Sequence, residues 1–142
     1  MKTPNLKRQA IETRARARRE LMQTLYQWQI SAESAKETLA HRFRHEHDID
    51  EDYFYEAWSG ITANPQALED KCQPHMSRKA ALLDPVERAI LWIATWELSN
   101  RFDLHPSVII NEAIEIAKQF GADDSYKFIN GTLDKLAKVL RG

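Results

Sequence analysis

The chain has 142 residues, of which 43% are hydrophobic and 29% charged, with four Gly and five Pro. That is the make-up of one folded domain and excludes collagen-like, low-complexity and disordered classes. No apolar run approaches the ~18–20 residues of a membrane span, the charged N-terminus lacks the apolar stretch of a secretory signal, and Cys72 has no second cysteine to pair with. These features make a cytoplasmic protein without membrane contact the expectation.

The hydrophobic period is helical almost throughout, so the predicted fold class is all-α. A first helix is predicted from about Lys7 to Ile30, with Leu21, Leu25 and Trp28 on one face. A second is predicted from about Glu33 to His45, with Leu39 and Phe43 inward. Acidic residues around Asp50 open a third, where negative charge suits the N-terminal dipole. Its Phe54, Ala57, Trp58 and Ile61 keep i, i+3, i+4, i+7 spacing. Asn64-Pro65 reads as a cap and an N1 proline before a short helix that stops ahead of Pro74. Asp84-Pro85-Val86-Glu87 is a stronger start, with the pattern of a capping box. The helix it opens, through Ala89 to Trp96, is apolar nearly all round and is predicted to be central and buried. Pro106 begins the next helix, with Ile110, Ala113, Ile114 and Ala117 inward, and Gly121 ends it. The last helix starts near Asp123 or Asp124 and carries Ile129, Leu133, Leu136 and Leu140. Gly131 lies inside it at a cost of about 1 kcal/mol against alanine, which suggests close packing of a neighbouring helix.

The domain reading is a single domain over 1–142. A flexible basic arm is expected over about 1–13, one helical subdomain over about 14–72 and another over about 84–142.

The net charge of −1 hides a split: residues 1–20 hold seven Lys or Arg against two Glu, a net of +5, which leaves −6 on the rest. Such a basic end invites an anionic partner. Within it, Arg14-Ala15-Arg16-Ala17-Arg18-Arg19 spreads four arginines around a helix at ~100° per residue. No burial pattern accommodates that, so the turn is expected to project beyond the core. Guanidinium forks bind phosphates and stack on bases. A solvated, frayed arm is the competing reading.

Other residues carry less. His41, Arg44, His45 and His47 lack the tetrahedral ligand set of a zinc site and read as a solvated helix end. Asp48, Asp50 and Asp52 start like a calcium loop, but Tyr53 and Ser59 occupy the glycine and glutamate positions, so helix capping is preferred. There is no phosphate loop and no nucleophile elbow, Cys72 reads as a small core residue, and Glu112 and Glu115 read as a polar face. No catalytic residue, metal or cofactor is expected. Most of Trp28, Trp58, Trp92 and Trp96 are expected in the core. Phe128, inside Ser125-Tyr126-Lys127-Phe128 at a helix start, reads either as core or as a stacking platform for a base.

Several segments together resemble the NusB family of transcription antitermination factors. Gln23-Thr24-Leu25-Tyr26-Gln27-Trp28-Gln29 resembles its first-helix signature. Val86-Glu87-Arg88-Ala89-Ile90-Leu91, followed by Glu97-Leu98, resembles its central helix. The run from Ile110 to Lys118, then Phe120-Gly121, Lys127-Phe128-Ile129-Asn130-Gly131 and Leu133-Asp134-Lys135-Leu136, is long and specific. The resemblance spans about residue 14 to the C-terminus and is weakest over 31–50 and 72–83. It implies two small helical bundles packed into one compact domain. It also implies a non-enzymatic factor that pairs with NusE, the small-subunit ribosomal protein, and binds the boxA element of ribosomal RNA operon transcripts within an RNA polymerase antitermination complex. By the same resemblance Arg14, Arg16, Arg18, Lys127 and Phe128 form the RNA surface with Asp124 at its edge, and Tyr26 and Glu87 face NusE. Asn111, Asn130 and Gly131 are assigned to structure. Trp92 stands where the family often has arginine, and His75 follows Pro74 where an aromatic is common.

Two alternatives stand beside this reading. One is a helical protein-interaction module without sequence-specific RNA binding. The other is a fragment of an RNA cytosine methyltransferase, which the chain end at Gly142 disfavours by leaving no room for a cofactor domain. Monomer and homodimer both stay open.

Overall fold

The computed structural model describes residues 5–142, and no strand occurs among them. Lys2 of the expected basic arm lies outside the described residues. The helices are α1 (Leu6–Ile30), α2 (Ala35–His41), α3 (Glu51–Ala63), α4 (Pro65–Cys72), α5 (Pro85–Asn100), α6 (Pro106–Phe120) and α7 (Ser125–Arg141). Two 3₁₀ turns, Gln73–His75 and Ala80–Leu82, lie between α4 and α5. The helices fall into two units, one running to Ser59 and one over Gly60–Gly142. The segment between Cys72 and Asp84 belongs to the second.

In the first unit, Asn5 caps α1 by accepting a hydrogen bond from the Arg8 N–H at 3.0 Å. The helix is exposed over its opening turns and buries Ala17, Leu21, Met22 and Leu25 further on. Trp28 meets Trp58 with ring centroids 6.0 Å apart, and Phe54 lies parallel to Trp58 at 6.4 Å.

The second helix is shorter than the pattern predicts. It ends at His41, and residues 42–50 leave it as an irregular strap. The reason is tertiary. The strap's His45 N–H reaches both carboxylate oxygens of Glu20, at 3.1 and 3.0 Å. Its Asp50 N–H bonds the Thr13 carbonyl at 3.0 Å. A helix continued to His45 could not deliver those groups to α1. Phe43, expected inward, is 70% exposed. Arg42 takes the inward place, with its guanidinium 4.0 Å from the Phe54 ring centroid.

In the second unit α5 is central, with α4, α6 and α7 packed on it. Asp84 accepts from the Glu87 N–H at 2.8 Å and Glu87 reaches back to the Asp84 N–H, which completes the capping box. Every residue from Ala89 to Leu98 is buried, as the all-round apolar pattern predicts. The α6 face of Ile109, Ala113 and Ile116 and the α7 face of Ile129, Leu133 and Leu136 close the core. Each of these Ile and Leu side chains contributes about 1.5–3 kcal/mol on burial. Arg141 locks the far end: its guanidinium donates to the carbonyls of Leu98, Leu104, Glu97 and Arg101 at 2.7–3.2 Å. These carbonyls lie at and just beyond the α5 C-terminus, where the helix leaves acceptor capacity unused.

The glycines correct one expectation. Gly131 is exposed, and a Cβ there would meet nothing within 4 Å, so no neighbouring helix requires it. The glycine that does make close packing possible is Gly60, where a Cβ would overlap the Trp96 indole. Gly121 caps α6 with an extended backbone rather than a left-handed one; a Cβ there would sit 2.7 Å from the Ala117 carbonyl. Gly60→Ala is therefore expected to destabilise by about 1–3 kcal/mol through overpacking. Gly131→Ala is expected to stabilise by about 1 kcal/mol. Thermal melts of the two variants should move in opposite directions.

Candidate nucleic-acid interface

The arginine block does not project beyond the core. Ala17, Arg18 and Glu20 are buried, and Arg14, Arg16 and Arg19 are half-buried. Two structural features absorb charges that a helical wheel spreads around the axis. Tyr53, at the start of α3, presents its ring to the pair at i and i+4: the Arg14 and Arg18 guanidinium carbons lie 5.7 and 5.4 Å from its centroid. Arg18, at 3% exposure, is therefore a packed side chain. The strap takes the others. Arg19 Nε donates to Glu46 Oε1, Arg16 Nε donates to the Asp48 carbonyl at 3.1 Å, and Arg14 Nε lies 3.5 Å from Asp50 Oδ2.

The strap's acids thus have two functions. Asp50 Oδ1 accepts from the Tyr53 N–H at 3.0 Å, so the capping reading holds for Asp50. Asp48 adopts φ 48°, a left-handed conformation that asparagine and aspartate tolerate best among non-glycine residues, and this turns its carbonyl to Arg16. The ion pairs with α1 had no local signal in the sequence, because Arg19 and Glu46 are 27 residues apart. Tyr26, on the same helix, is 38% exposed.

In the second unit the start of α7 is organised by a buried carboxylate. Glu87 is 2% exposed. Arg78 grips it with both terminal nitrogens at 3.1 and 3.0 Å, and the Ser125 hydroxyl donates to Oε2 at 2.9 Å. The same Arg78 guanidinium lies 3.8 Å from the Phe128 ring centroid. One face of Phe128 is thereby covered, and the ring is half-buried. Phe128 also lines a cleft of about 130 Å³ with His75, Ser77, Lys127, Gly131, Thr132 and Lys135. Gly131 lies in the wall of that cleft, where a Cβ would point into open space. Lys127 and Asp124 are exposed, with Nζ 3.4 Å from Oδ1.

Glu87 carries the cap that the sequence predicts, but its carboxylate does not face outward. Its oxygens are occupied by Arg78, Ser125 and the Asp84 N–H. Arg78 and Lys135 escaped the sequence reading; the one lies in the stretch of weakest resemblance and the other reads as an ordinary polar-face lysine. Trp92 is buried within α5. His75, in a 3₁₀ turn, lines the Phe128 cleft.

The NusB family model matches residues 15–138. The chain belongs to the NusB family. A transcription antitermination protein NusB from Buchnera aphidicola is 45% identical over 132 residues, 92% of each chain. One from Klebsiella pneumoniae is 46% identical over 131 residues, covering 90% of this chain and 94% of that one. Among solved structures, T. maritima NusB aligns with a TM-score of 0.77 at 31% identity, covering 97% of this chain and 93% of its own. NusB proteins are non-enzymatic RNA- and protein-binding factors. No helix among the described residues is long and apolar enough to cross a membrane.

Cys72 conforms to its core reading. It is buried, its sulfur lies 2.8 Å from Thr95 Oγ1, and burial pushes its thiol up to about 11. At pH 8 only about a thousandth would be thiolate, the reactive form. Iodoacetamide is expected to leave the native protein unlabelled at pH 8 and to label it once denatured. Glu87→Ala removes a capping acceptor and leaves Arg78 and Ser125 without their acceptor. A loss of about 3 kcal/mol in urea unfolding is expected.

Proposed function

We propose that this NusB-family protein is a transcription antitermination factor that binds the boxA element of nascent ribosomal RNA transcripts, jointly with NusE, as part of an RNA polymerase antitermination complex. The observation that carries this reading is the family match over 15–138, in a chain whose relatives bear the name transcription antitermination protein. The chemistry of each unit supports it. In the first, Arg14 and Arg16 supply guanidinium forks at a half-buried helix face. In the second, Lys127 supplies a phosphate contact and Phe128 a ring for stacking a base, with Asp124 at the edge to moderate charge.

Arg18 serves the first of these surfaces from within, by holding Tyr53. Tyr26 is the residue through which NusE is proposed to dock. Glu87 is proposed to lie on the NusE side as well, and its buried carboxylate supports the α7 surface by holding Arg78.

The two proposed components, RNA and NusE, act by different physics. RNA affinity of the chain alone should be modest and should fall with salt, because phosphate contacts release counterions. NusE should add affinity through simultaneous contact with protein and RNA. Fluorescence anisotropy of labelled boxA RNA against a scrambled RNA, with and without NusE, tests both. The expected result is a preference for boxA that NusE strengthens. Phe128→Ala should weaken boxA binding by about tenfold, the order of one base stack. Arg16→Ala should weaken both RNAs and flatten the salt slope by about 0.7. Tyr26→Ala should remove the NusE enhancement and leave RNA binding by the chain alone unchanged. Equal binding of boxA and scrambled RNA would instead favour a helical protein-interaction module.

A further inference from the structure

The strap over 42–50 places anions where an RNA-binding surface needs cations. Arg19 and Arg14 are each paired with a strap carboxylate, Glu46 and Asp50, and all four side chains are largely shielded from water. Arg16 is different: its strap partner is a neutral backbone carbonyl, so its positive charge is not cancelled by that bond. Apart from the Asp50 cap on Tyr53, the strap is held by groups other than these carboxylates. His45 N–H is bonded to Glu20, Asp50 N–H is bonded to Thr13, and Arg42 is stacked on Phe54. These contacts hold the strap backbone, so its acids are placed beside the arginines by the fold itself.

We propose that Glu46 and Asp50 are specificity-determining residues for RNA, acting as built-in competitors of phosphate at Arg19 and Arg14. This rests on the RNA-binding reading above. A phosphate that approaches a paired guanidinium exchanges one anion for another and gains little, since a partly exposed ion pair and its replacement differ by a small margin. At this face a generic RNA therefore meets the fork of Arg16, whose strap partner is neutral. An RNA of the right sequence adds base contacts, and only then is displacing or sharing the strap carboxylates favourable. The strap lowers non-specific affinity more than specific affinity, and its backbone need not move to do so.

Glu46→Gln with Asp50→Asn tests this. Both replacements keep the side-chain shape, and the amide oxygen introduced by Asp50→Asn can still accept the Tyr53 N–H. The control is Glu37→Gln with Asp52→Asn, which removes the same charge from exposed positions of the same unit that have no arginine contact. Melting curves of both should match the parent. Anisotropy titrations with boxA and scrambled RNA over a salt series give the readout.

The strap variant is expected to bind scrambled RNA about fivefold tighter, on the scale of two weak ion pairs. Its salt slope should steepen by about 1.4, or about 0.7 for each cation released to phosphate. BoxA should gain less, so the boxA preference falls. The control should shift neither RNA by more than about twofold. Unchanged or weaker binding by the strap variant, or an equal gain in the control, overturns the competition.

The two readings fail separately. If the parent shows no boxA preference but the strap variant still tightens scrambled RNA, the antitermination reading falls and the competition stands. If boxA preference is intact and scrambled binding does not move, the reverse holds. No binding of either RNA by any variant at low salt overturns both.

Discussion

A carboxylate taken out of water must have its oxygens met by donors, or burial costs several kcal/mol. Glu87 meets that requirement with a bidentate arginine, a serine hydroxyl and a helix-start N–H. Each donor comes from a different stretch of the second unit. The start of α5, the segment ahead of it and the start of α7 are therefore tied to one point. Phe128 inherits its setting from this tie, since the guanidinium that satisfies Glu87 also covers one face of the ring. The first unit repeats the device with Glu20, which is fully buried and holds the His45 N–H with both oxygens. There the tie fixes a strap rather than an aromatic. In both units a buried glutamate on one element orders an irregular segment from elsewhere in the chain.

This explains why arginine, not lysine, recurs at these points. A guanidinium can bind a carboxylate edge-on and an aromatic ring face-on at the same time. Arg78 does both, to Glu87 and Phe128. Arg14 does both, to Asp50 and Tyr53. Arg42 lies on Phe54 with Glu51 at 3.6 Å. An ammonium in any of these places would keep one contact and lose the other. The arginines are thus structural elements before they are ligand-binding ones, and any RNA contact they make draws on a geometry that folding has already set.

The sequence made the local features legible and the long-range ones not. Asp84-Pro85-Val86-Glu87 announces the α5 start because the cap, the proline and the glutamate interact within one turn. The apolar run behind it announces burial because no face is left for water. The end of α2 has no such signal: whether residues 42–45 stay helical depends on Glu20, more than twenty positions away. Phe43 keeps helical spacing and yet is exposed, since the chain has left the helix before reaching it. Arg18 looks like surface on a wheel and is buried, because Tyr53 offers a ring that no periodicity reveals. Gly131 shows the same limit from another side. A glycine inside a helix signals a cost, but whether a neighbour requires it depends on what stands opposite.

Family resemblance and physical reading therefore contribute different things to the site. Resemblance picks out Lys127, Phe128 and the arginine block as a set, which charge and spacing alone do not do. The folded structure then sorts that set by availability. Arg18 is used up by packing, Arg14 is paired with a carboxylate, and Arg16 bonds a carbonyl that leaves its charge in place. A list of basic residues treats these as equal contributors. Their surroundings make them unequal: an aromatic ring holds Arg18, a backbone carbonyl meets Arg16, and strap carboxylates, invisible to any count of positive charge, pair with Arg14 and Arg19.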